Sequence, residues 1–591
     1  MKRFIYISLL SLSLGGAVAS CDLDAPTISS LDSSTIFSTP VLAEAAVMAI
    51  HQSFGETNSY RGRYIPYYGI NSDVEWINNM SAASIPDAGK YDLVTYSATP
   101  TNTQMNTDNN AYAKFYEAIE RANQAIVGLR TYGNIGTNEE LTYLLGEILT
   151  LRAVVYLDLV KGWGDVPARF EPISSETLYI GRSDRDTIYK HLLTDLKEAE
   201  AYVPWPNGSA VTKSTERVNK AFVKGLRARV ALYAGGYSQR ADGVRLSDDP
   251  ELSQTAMYTI ARDECLDIIE SGTCTLGSFM ENFQKLCKDD VTAGGESLWE
   301  IPFSAGRGRV LYTFGVKHQS KDQYTEQAQG GINGPLPTLF YDYDVEDVRR
   351  DITCVPYEWG TAVNGIAKQQ LRSLKSWCFG KLRYEWMTRT VTSTNDDGIN
   401  WQYMRLADVY LMAAEAINAL SGPSEAAPYL KTVLDRALPA AKVSSYMSAA
   451  TASKDAFFNA IVDQRAFEFA GESLRKADLI RWNLLKTKLD EAKTKMTQLA
   501  NLEGAYADLP TKLYYQTAAD GESLTIYGLN HGDTDEAGAA LGYESNTDWI
   551  STSKLPQDLI DVLYVKDPNQ NQYWPIWQFF IDSSNGMLSN N

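Results

Sequence analysis

Cys21 is placed for covalent attachment of lipid at the end of the N-terminal sequence. A basic start, an apolar stretch from Phe4 to Leu14 and the small residues Val18-Ala19-Ser20 precede it. The apolar stretch is shorter than the about 20 residues that a bilayer span needs. We therefore interpret residues 1–20 as the signal peptide of a bacterial lipoprotein, with acyl chains on Cys21 anchoring the mature chain in a membrane. The alternative is an ordinary secretion signal with an incidental cysteine.

No other residue pattern indicates catalysis or a cofactor. The four histidines, His51, His191, His318 and His531, lack a second ligand at helical metal spacing. Neither a nucleophile elbow nor a phosphate-binding glycine loop followed by a helix is found. Carboxylate pairs arise by chance in a chain with 73 acidic residues, so their number alone supports no hydrolase. We expect a protein that is not an enzyme and that binds no metal and no cofactor.

The cysteines beyond Cys21 are odd in number and contain no C-x-x-C pair. This excludes a complete disulfide framework and a structural zinc site, and leaves open whether one pair is bridged. The five residues are Cys265, Cys274, Cys287, Cys354 and Cys378.

Composition restricts the class of partner. The net charge is −19, which opposes nucleic acid because phosphate binding depends on clustered Lys and Arg. The sequence after Cys21 has no second apolar run long enough to span a bilayer. Tyrosine (35 residues) and tryptophan (12 residues) supply flat side chains with a polar edge. Those in polar loops are candidates for ligand contact.

Periodicity divides the chain into a helical part and two irregular segments. Residues 21–38 are rich in Ser, Thr and Asp and are predicted to be a solvated tether. The segments 55–110 and 286–400 lack helical periodicity and are longer than ordinary connections. Apolar spacing predicts helices over 40–54, 112–129, 141–159, 186–202, 216–233, 254–271, 403–420, 424–438, 453–471 and 474–500.

The predicted fold is mainly α. Neighbouring helices should pair as hairpins, and small residues at close-approach positions, such as Ala228, are typical of degenerate tetratricopeptide repeats. A scaffold over about 39–54, 112–285 and 401–500 would then carry large irregular, loop-rich insertions within a single domain, 39–591. The alternative is an ordinary helical domain without repeat symmetry.

Five segments, in this order behind the lipoprotein leader, resemble the SusD family (also called RagB/SusD) of nutrient-capturing surface lipoproteins. The match covers nearly the whole mature chain. The segments are FYEAIERAN (Phe115–Asn123), LRAVVYLDLVKGWGDVP (Leu151–Pro167), MRLADVYLMAAEA (Met404–Ala416), the charged stretch Arg465–Trp482, and YWPI (Tyr573–Ile576).

Two positions depart from the family pattern. Gly471 stands where an aromatic residue is usual, and Trp577 replaces the second proline of a Pro-Ile-Pro motif. Both departures concern folding rather than ligand choice. The charged residues from Arg465 to Arg481 are expected to form structural ion pairs, because partly buried charges need partners.

The resemblance implies ligand binding without catalysis on a face made by loops 55–110 and 286–400. It also implies an outer-membrane location facing the cell exterior, and an oligosaccharide cargo delivered to a SusC-like TonB-dependent transporter for which the protein acts as a lid. One alternative keeps this architecture but changes the cargo to peptide. Another is a tetratricopeptide assembly module without a small ligand.

An oligosaccharide site needs aromatic faces that stack on sugar rings, together with polar groups for the hydroxyls. For any one aromatic, core packing is the alternative. Trp299, in an alternating run, is expected to be a buried strand residue. The candidate ligand-binding residues are Trp76, Asn78, Asn79, Tyr91, Tyr96, Arg307, Tyr312, Tyr324 and Trp359.

Localisation should depend on Cys21. We expect Cys21→Ala to give a folded protein released from membranes, because the leader contributes nothing to the core. Fractionation of cells that lack the partner transporter measures this. A Cys21→Ala protein that still sediments with the outer membrane in such cells would contradict the lipoprotein interpretation.

Overall fold

The computed structural model describes residues 32–80 and 88–590, so Cys21 and the signal peptide lie outside the described residues. Helices dominate this part of the chain. In chain order they are α1 (Ser33–Ser38), α2 (Pro40–Gly55), α3 (Ala88–Val94), α4 (Ala111–Tyr132), α5 (Glu139–Trp163), α6 (Arg185–Tyr202), α7 (Lys220–Ala234), α8 (Gln254–Ser271), α9 (Phe279–Cys287), α10 (Val310–Phe314), α11 (Pro337–Asp342), α12 (Val348–Thr353), α13 (Leu406–Ser421), α14 (Pro423–Asp435), α15 (Ala440–Ala450), α16 (Lys454–Phe469), α17 (Arg475–Arg481), α18 (Leu485–Asn501), α19 (Asp535–Ala540), α20 (Gln557–Asp561) and α21 (Gln578–Asp582).

The strands are short and form small antiparallel sheets. They pair as β1 with β5, β2 with β3, β4 with β10, β6 with β9 and β7 with β8, while β11 lies between β12 and β13. Their bounds are β1 (Glu75–Ile77), β2 (Ser238–Arg240), β3 (Gly243–Arg245), β4 (Ser297–Ile301), β5 (Asn333–Pro335), β6 (Cys354–Val355), β7 (Tyr357–Trp359), β8 (Gln369–Leu371), β9 (Cys378–Phe379), β10 (Trp401–Arg405), β11 (Lys512–Thr517), β12 (Leu524–Tyr527) and β13 (Ser545–Asp548).

The long helices form the predicted array of hairpins. From α4 to α8 each helix packs against the next, α8 then packs against α13, and α13 packs against α14 and α16. The N-termini of α4, α5 and α7 are capped by side chains: Asn110, Asn138 and Asn219 accept the backbone N–H three residues on. The mainly α fold with helical hairpins is confirmed.

The N-terminal boundary differs from the prediction. The tether was expected to reach Ser38, but α1 is helical and is capped by Asp32, whose carboxylate accepts the N–H of Thr35. Phe37 is buried in the core, and its ring covers Gly128 of α4. Burial of one aromatic side chain therefore extends the folded domain into the predicted tether.

The segment 286–400 forms an insert closed at its base by two paired strands. It leaves the scaffold at β4 and returns at β10, with Ile301 opposite Trp401. Trp299 of β4 is fully buried and stacks on Phe222 of α7 at 4.7 Å between ring centroids, so its prediction as a buried strand residue is confirmed. The segment 55–110 is also irregular, and holds a π-helix (Tyr60–Tyr64), β1 and α3.

Further differences from the prediction lie in the C-terminal half of the chain. The sheet of β11, β12 and β13 follows the last predicted helix, and α15 lies between two predicted ones. The helix predicted over 474–500 is two helices, α17 and α18, because the chain turns at Asn483, where φ is +57°. Asparagine tolerates this left-handed conformation better than most residues, which explains the break.

Glu468 of α16 is a buried carboxylate shared by three arginines. Arg349 of the insert donates to it at 2.9 Å, Arg405 of β10 donates at 2.5 Å, and Arg436 beyond α14 is the third partner. Burial alone would raise the pKa of Glu468, but the arginine charges outweigh it and hold that pKa well below its usual range. This cluster connects the insert, its base and the helical array.

A second buried network follows the predicted charged stretch. Arg465 bridges Asp408 (2.6 Å) and Asp478 (2.7 Å), while Arg229 also pairs with Asp408 (2.6 Å). Asp478 is further paired with Arg481 at 2.9 Å. The structural ion pairs expected between Arg465 and Arg481 are confirmed.

Among residues 32–80 and 88–590, no helix is both long enough and apolar enough to cross a bilayer.

Glu468→Gln should destabilise the fold by about 3–5 kcal/mol, because it leaves three partly or fully buried guanidinium groups around a neutral side chain. Urea unfolding at neutral pH measures the loss. Because the pKa of Glu468 is lowered in the folded state, its stabilising effect is present above the unfolded pKa of about 4 and is lost as the pH falls below that value.

The matched control is Asp435→Asn, which breaks the exposed pair of Asp435 with Lys431 (2.7 Å). It should change the free energy of unfolding by less than about 1 kcal/mol. Equal effects of the two substitutions would show that the Glu468 cluster does not anchor the insert.

Candidate functional site

The two irregular segments that were expected to form the ligand face are hydrogen-bonded to each other. β1 runs antiparallel to β5, with Trp76 opposite Gly334. The amide of Asn78 donates to the carbonyl oxygens of Gly331 (3.2 Å) and Trp377 (3.0 Å). Residues of the first loop and of the insert therefore belong to one continuous surface.

Three predicted contact residues are corrected, since they do not present an accessible face. Trp76, Tyr96 and Trp359 are 3%, 4% and 3% exposed. The hydroxyl of Tyr96 donates to the carbonyl of Asn71 (2.8 Å), and the Lys476 ammonium lies 4.7 Å from its ring centroid. Beside Trp76, Glu75 and Asn78 bond to distant backbone rather than to solvent, which keeps that ring in the core.

The other first-loop candidates are more accessible. Asn79 is exposed, has a left-handed backbone (φ +58°) and donates its N–H to the carbonyl of Lys375 at 3.4 Å. Asn78 is half-buried and its amide is used by the backbone bonds described above. Tyr91 is half-buried and packs against the core.

Arg61, Arg307 and Arg309 form a group of positive charges, here called the arginine cluster, where the π-helix of the first loop meets the insert. Arg61 is 9% exposed, and its Nε and Nη1 atoms are buried without a hydrogen-bond partner. Burial lowers the pKa of Arg61, and the neighbouring charges of Arg307 and Arg309 lower it further, against the opposing effect of Asp397 and Glu56. Arg307 is exposed to solvent.

Tyr312 supplies an aromatic ring beside the arginine cluster. The guanidinium of Arg309 lies 4.6 Å from the centroid of this half-buried ring. The carboxylate of Asp397 accepts the N–H groups of Leu311 (3.0 Å) and Tyr312 (3.4 Å), so it fixes the start of α10. Gly308 has φ +132° and a Cβ there would clash with Asp397, so only glycine allows this approach.

Tyr324, another predicted contact residue, packs on the buried Trp359 at 4.9 Å between ring centroids. Trp359 also stacks on His318 (5.9 Å), whose Nδ1 bonds to Asp322 at 2.7 Å. Tyr324 is half-buried, and its hydroxyl donates to Glu522 of the C-terminal segment (3.4 Å). Of this aromatic group, Tyr324 keeps the more accessible ring.

Sequence reasoning missed Arg61 and Trp386. The Arg-Gly-Arg run at 61–63 is the only local sign of Arg61, and its neighbours Arg307 and Arg309 are far away in the chain. Trp386 is half-buried and lies under the guanidinium of Arg383, 4.7 Å from the ring centroid. It offers a further aromatic group on the insert.

A groove of about 600 Å³ lies elsewhere, between the starts of α2 and α5 and the end of α6. Val41, Tyr143 and Tyr202 contribute to its lining. It contains none of the predicted ligand-binding residues.

Within the part of the chain that the structure describes, no group of three His, Cys, Asp or Glu side chains is placed to hold a metal ion. The cysteines at positions 265, 274, 287, 354 and 378 are all free thiols. The polar groups gathered at the junction of the two segments, arginines and an amide beside tyrosine rings, can bind a ligand by hydrogen bonding and stacking.

Known proteins resemble this chain in sequence and in fold. A sequence model described as "SusD family" matches residues 366–591, and a second, described as "Starch-binding associating with outer membrane", matches residues 32–232. SusD-like protein P25 of Formosa agariphila is 23% identical over 477 residues, which cover 74% of this chain and 81% of that protein.

Two solved structures show the same fold. A SusD homolog from Bacteroides thetaiotaomicron superposes with a TM-score of 0.66 at 18% identity, covering 80% of this chain and 91% of that one. Surface glycan-binding protein A from the same species, in complex with laminarihexaose, gives a TM-score of 0.59 at 18% identity, covering 93% and 98%.

The architecture is thus that of a helical-hairpin scaffold carrying a loop-built surface. The chain belongs to the SusD family.

Asp397→Asn should change how stability depends on pH. Burial raises the pKa of Asp397 to about 7 in the folded state, above its unfolded value of about 4. The folded protein then binds the extra proton between these values, so this carboxyl lowers stability as the pH rises through that window. From about pH 5 to about pH 8 the variant should gain about 2 kcal/mol relative to the parent protein.

Urea unfolding of both proteins at the two pH values measures this difference. A difference in unfolding free energy that stays constant with pH would show that Asp397 is already ionised in the folded protein at pH 5.

Proposed function

We propose that this protein is a lipid-anchored cell-surface receptor that captures oligosaccharides by binding alone and passes them to a SusC-like TonB-dependent transporter. The observation that carries the proposal is the junction of the first loop with the insert. There the arginine cluster and Tyr312 combine a stacking surface with hydrogen-bond donors.

The similarities support a glycan as cargo. The solved surface glycan-binding protein A that shares this fold contains laminarihexaose, and the matching N-terminal sequence model is described as starch-binding. Half-buried tyrosines pack against one face of a sugar ring, while guanidinium and amide groups donate to its hydroxyls. Such shallow sites predict dissociation constants of about micromolar to millimolar.

The lipid anchor and the transporter complete the proposal. Cys21 and its leader provide the attachment, and the N-terminal sequence model is described as associating with the outer membrane. A receptor held at the surface raises the local concentration of cargo at a transporter mouth. We assign no bond-breaking step to any residue.

Tyr312→Ala and Tyr324→Ala should each weaken oligosaccharide binding by about 1–3 kcal/mol. Both rings are half-buried, so the thermal midpoint should change little. Calorimetric titration with an oligosaccharide retained from a glycan panel, paired with thermal unfolding, measures both effects. Tyr179→Ala is the matched control, since this tyrosine is 46% exposed on the loop before α6 and lies outside the proposed face.

Four results would contradict the proposal or its placement of the binding face. Retention of peptides without any glycan would show that the cargo is peptide. Retention of neither glycan nor peptide would favour a protein-assembly module. Release of reducing ends by the pure protein would show an enzyme. If Tyr312→Ala and Tyr324→Ala lower stability but spare affinity, the face is wrongly placed.

A further inference from the structure

The arginine cluster lacks the acidic partners that other buried arginines of this protein have. No carboxylate oxygen among residues 32–80 and 88–590 lies within 4.0 Å of these three guanidinium groups. By contrast, Arg349, Arg405 and Arg465 each pair with two or more carboxylates. Like charges held together without an ion-paired carboxylate repel each other, and Asp397 and Glu56 oppose this only from a greater distance, so the arrangement disfavours the unliganded state.

The lack of an acidic partner is most costly at Arg61, because this residue is buried. Its Nη2 donates to Thr57, whereas Nε and Nη1 have no partner although both are out of contact with solvent. Buried donors without acceptors are destabilising by about 1–3 kcal/mol, and more when the group is charged. An anionic group bound at the cluster would supply acceptors and charge together.

Nearby carboxylates do not neutralise the cluster. Glu216 and Glu300 accept hydrogen bonds from Asn400 and line a cavity of about 190 Å³. Asp289 lies 3.8 Å from Arg389. Asp397, whose pKa is raised to about 7 by burial, uses one oxygen for backbone N–H groups.

The rest of the protein also disfavours a general affinity for anions. The net charge is −19, and screening limits electrostatic attraction to about 8 Å at physiological ionic strength. On such a chain, the arginine cluster attracts only an anionic group of a ligand that is already bound close to it. Guanidinium donors match the paired oxygens of a carboxylate or sulfate in a bidentate geometry.

We propose that the arginine cluster selects oligosaccharides bearing acidic groups, either uronate carboxylates or sulfate esters, with Tyr312 stacking on the adjoining sugar ring. This inference rests on the proposed function and specifies its substrate class. Uronate carboxylates and sulfate esters both present anionic oxygen acceptors to a guanidinium group. An experiment must therefore distinguish the two.

The test is calorimetric titration with three oligosaccharides: neutral laminarihexaose, an oligogalacturonate and a sulfated galactan oligosaccharide. We expect at least one acidic ligand to bind about tenfold or more tightly than the neutral one at about 50 mM NaCl, with the preference shrinking at about 500 mM. Whichever acidic ligand is preferred identifies the group as uronate or sulfate.

Arg307→Gln and Arg309→Gln should each weaken the acidic ligand by about tenfold and change laminarihexaose binding far less. Arg307 is exposed, so its substitution should leave the unfolding midpoint unchanged. Arg262→Gln is the matched control, because it removes the same charge from α8, where Arg262 pairs with Asp263 at 2.7 Å.

The outcomes separate this inference from the proposed function. Binding of laminarihexaose with no acidic preference, or acidic binding that survives both arginine substitutions, would overturn the inference and leave glycan capture intact. Binding of none of the three oligosaccharides, or binding of an acidic peptide alone, would overturn both.

Discussion

The shared carboxylate of Glu468 is the interaction on which the position of the insert, and with it the proposed ligand face, depends. It is fully buried, and its partners Arg349, Arg405 and Arg436 come from three separate parts of the chain. Removing the carboxylate would take a shared counter-charge from all three guanidinium groups, which are buried or nearly so. The ion pairs therefore hold the insert in one position on the helical array. Its loops begin at the paired strands β4 and β10.

The first loop is fixed to the same base by a second set of contacts. Glu75 of β1 accepts the N–H of Gly471, just beyond α16, at 3.0 Å. Gly471 has φ +83°, and the ring of Phe379 from the insert lies where a side chain at this position would be. The departure from the family pattern at Gly471 thus allows insert and loop to meet closely. Binding groups held on such a base lose little freedom when a ligand arrives.

Local patterns in the sequence predicted the parts of the fold that local physics determines. Helical spacing gave α8 with the observed ends, and alternation gave the buried Trp299. The accessibility of Trp76 could not be predicted, because its burial results from pairing with β5, a strand of the insert that is distant in the sequence. Arg61 was missed for the same reason. It is a candidate binding residue only because the tertiary fold brings Arg307 and Arg309 near it.

The account locates oligosaccharide binding at the junction of the first loop and the insert. A crystal structure of the protein with a bound oligosaccharide tests this most directly. The expected result is a sugar ring on Tyr312 with its polar groups accepting hydrogen bonds from the arginine cluster. A sugar seated instead in the groove between α2, α5 and α6, with the junction empty, would contradict the account.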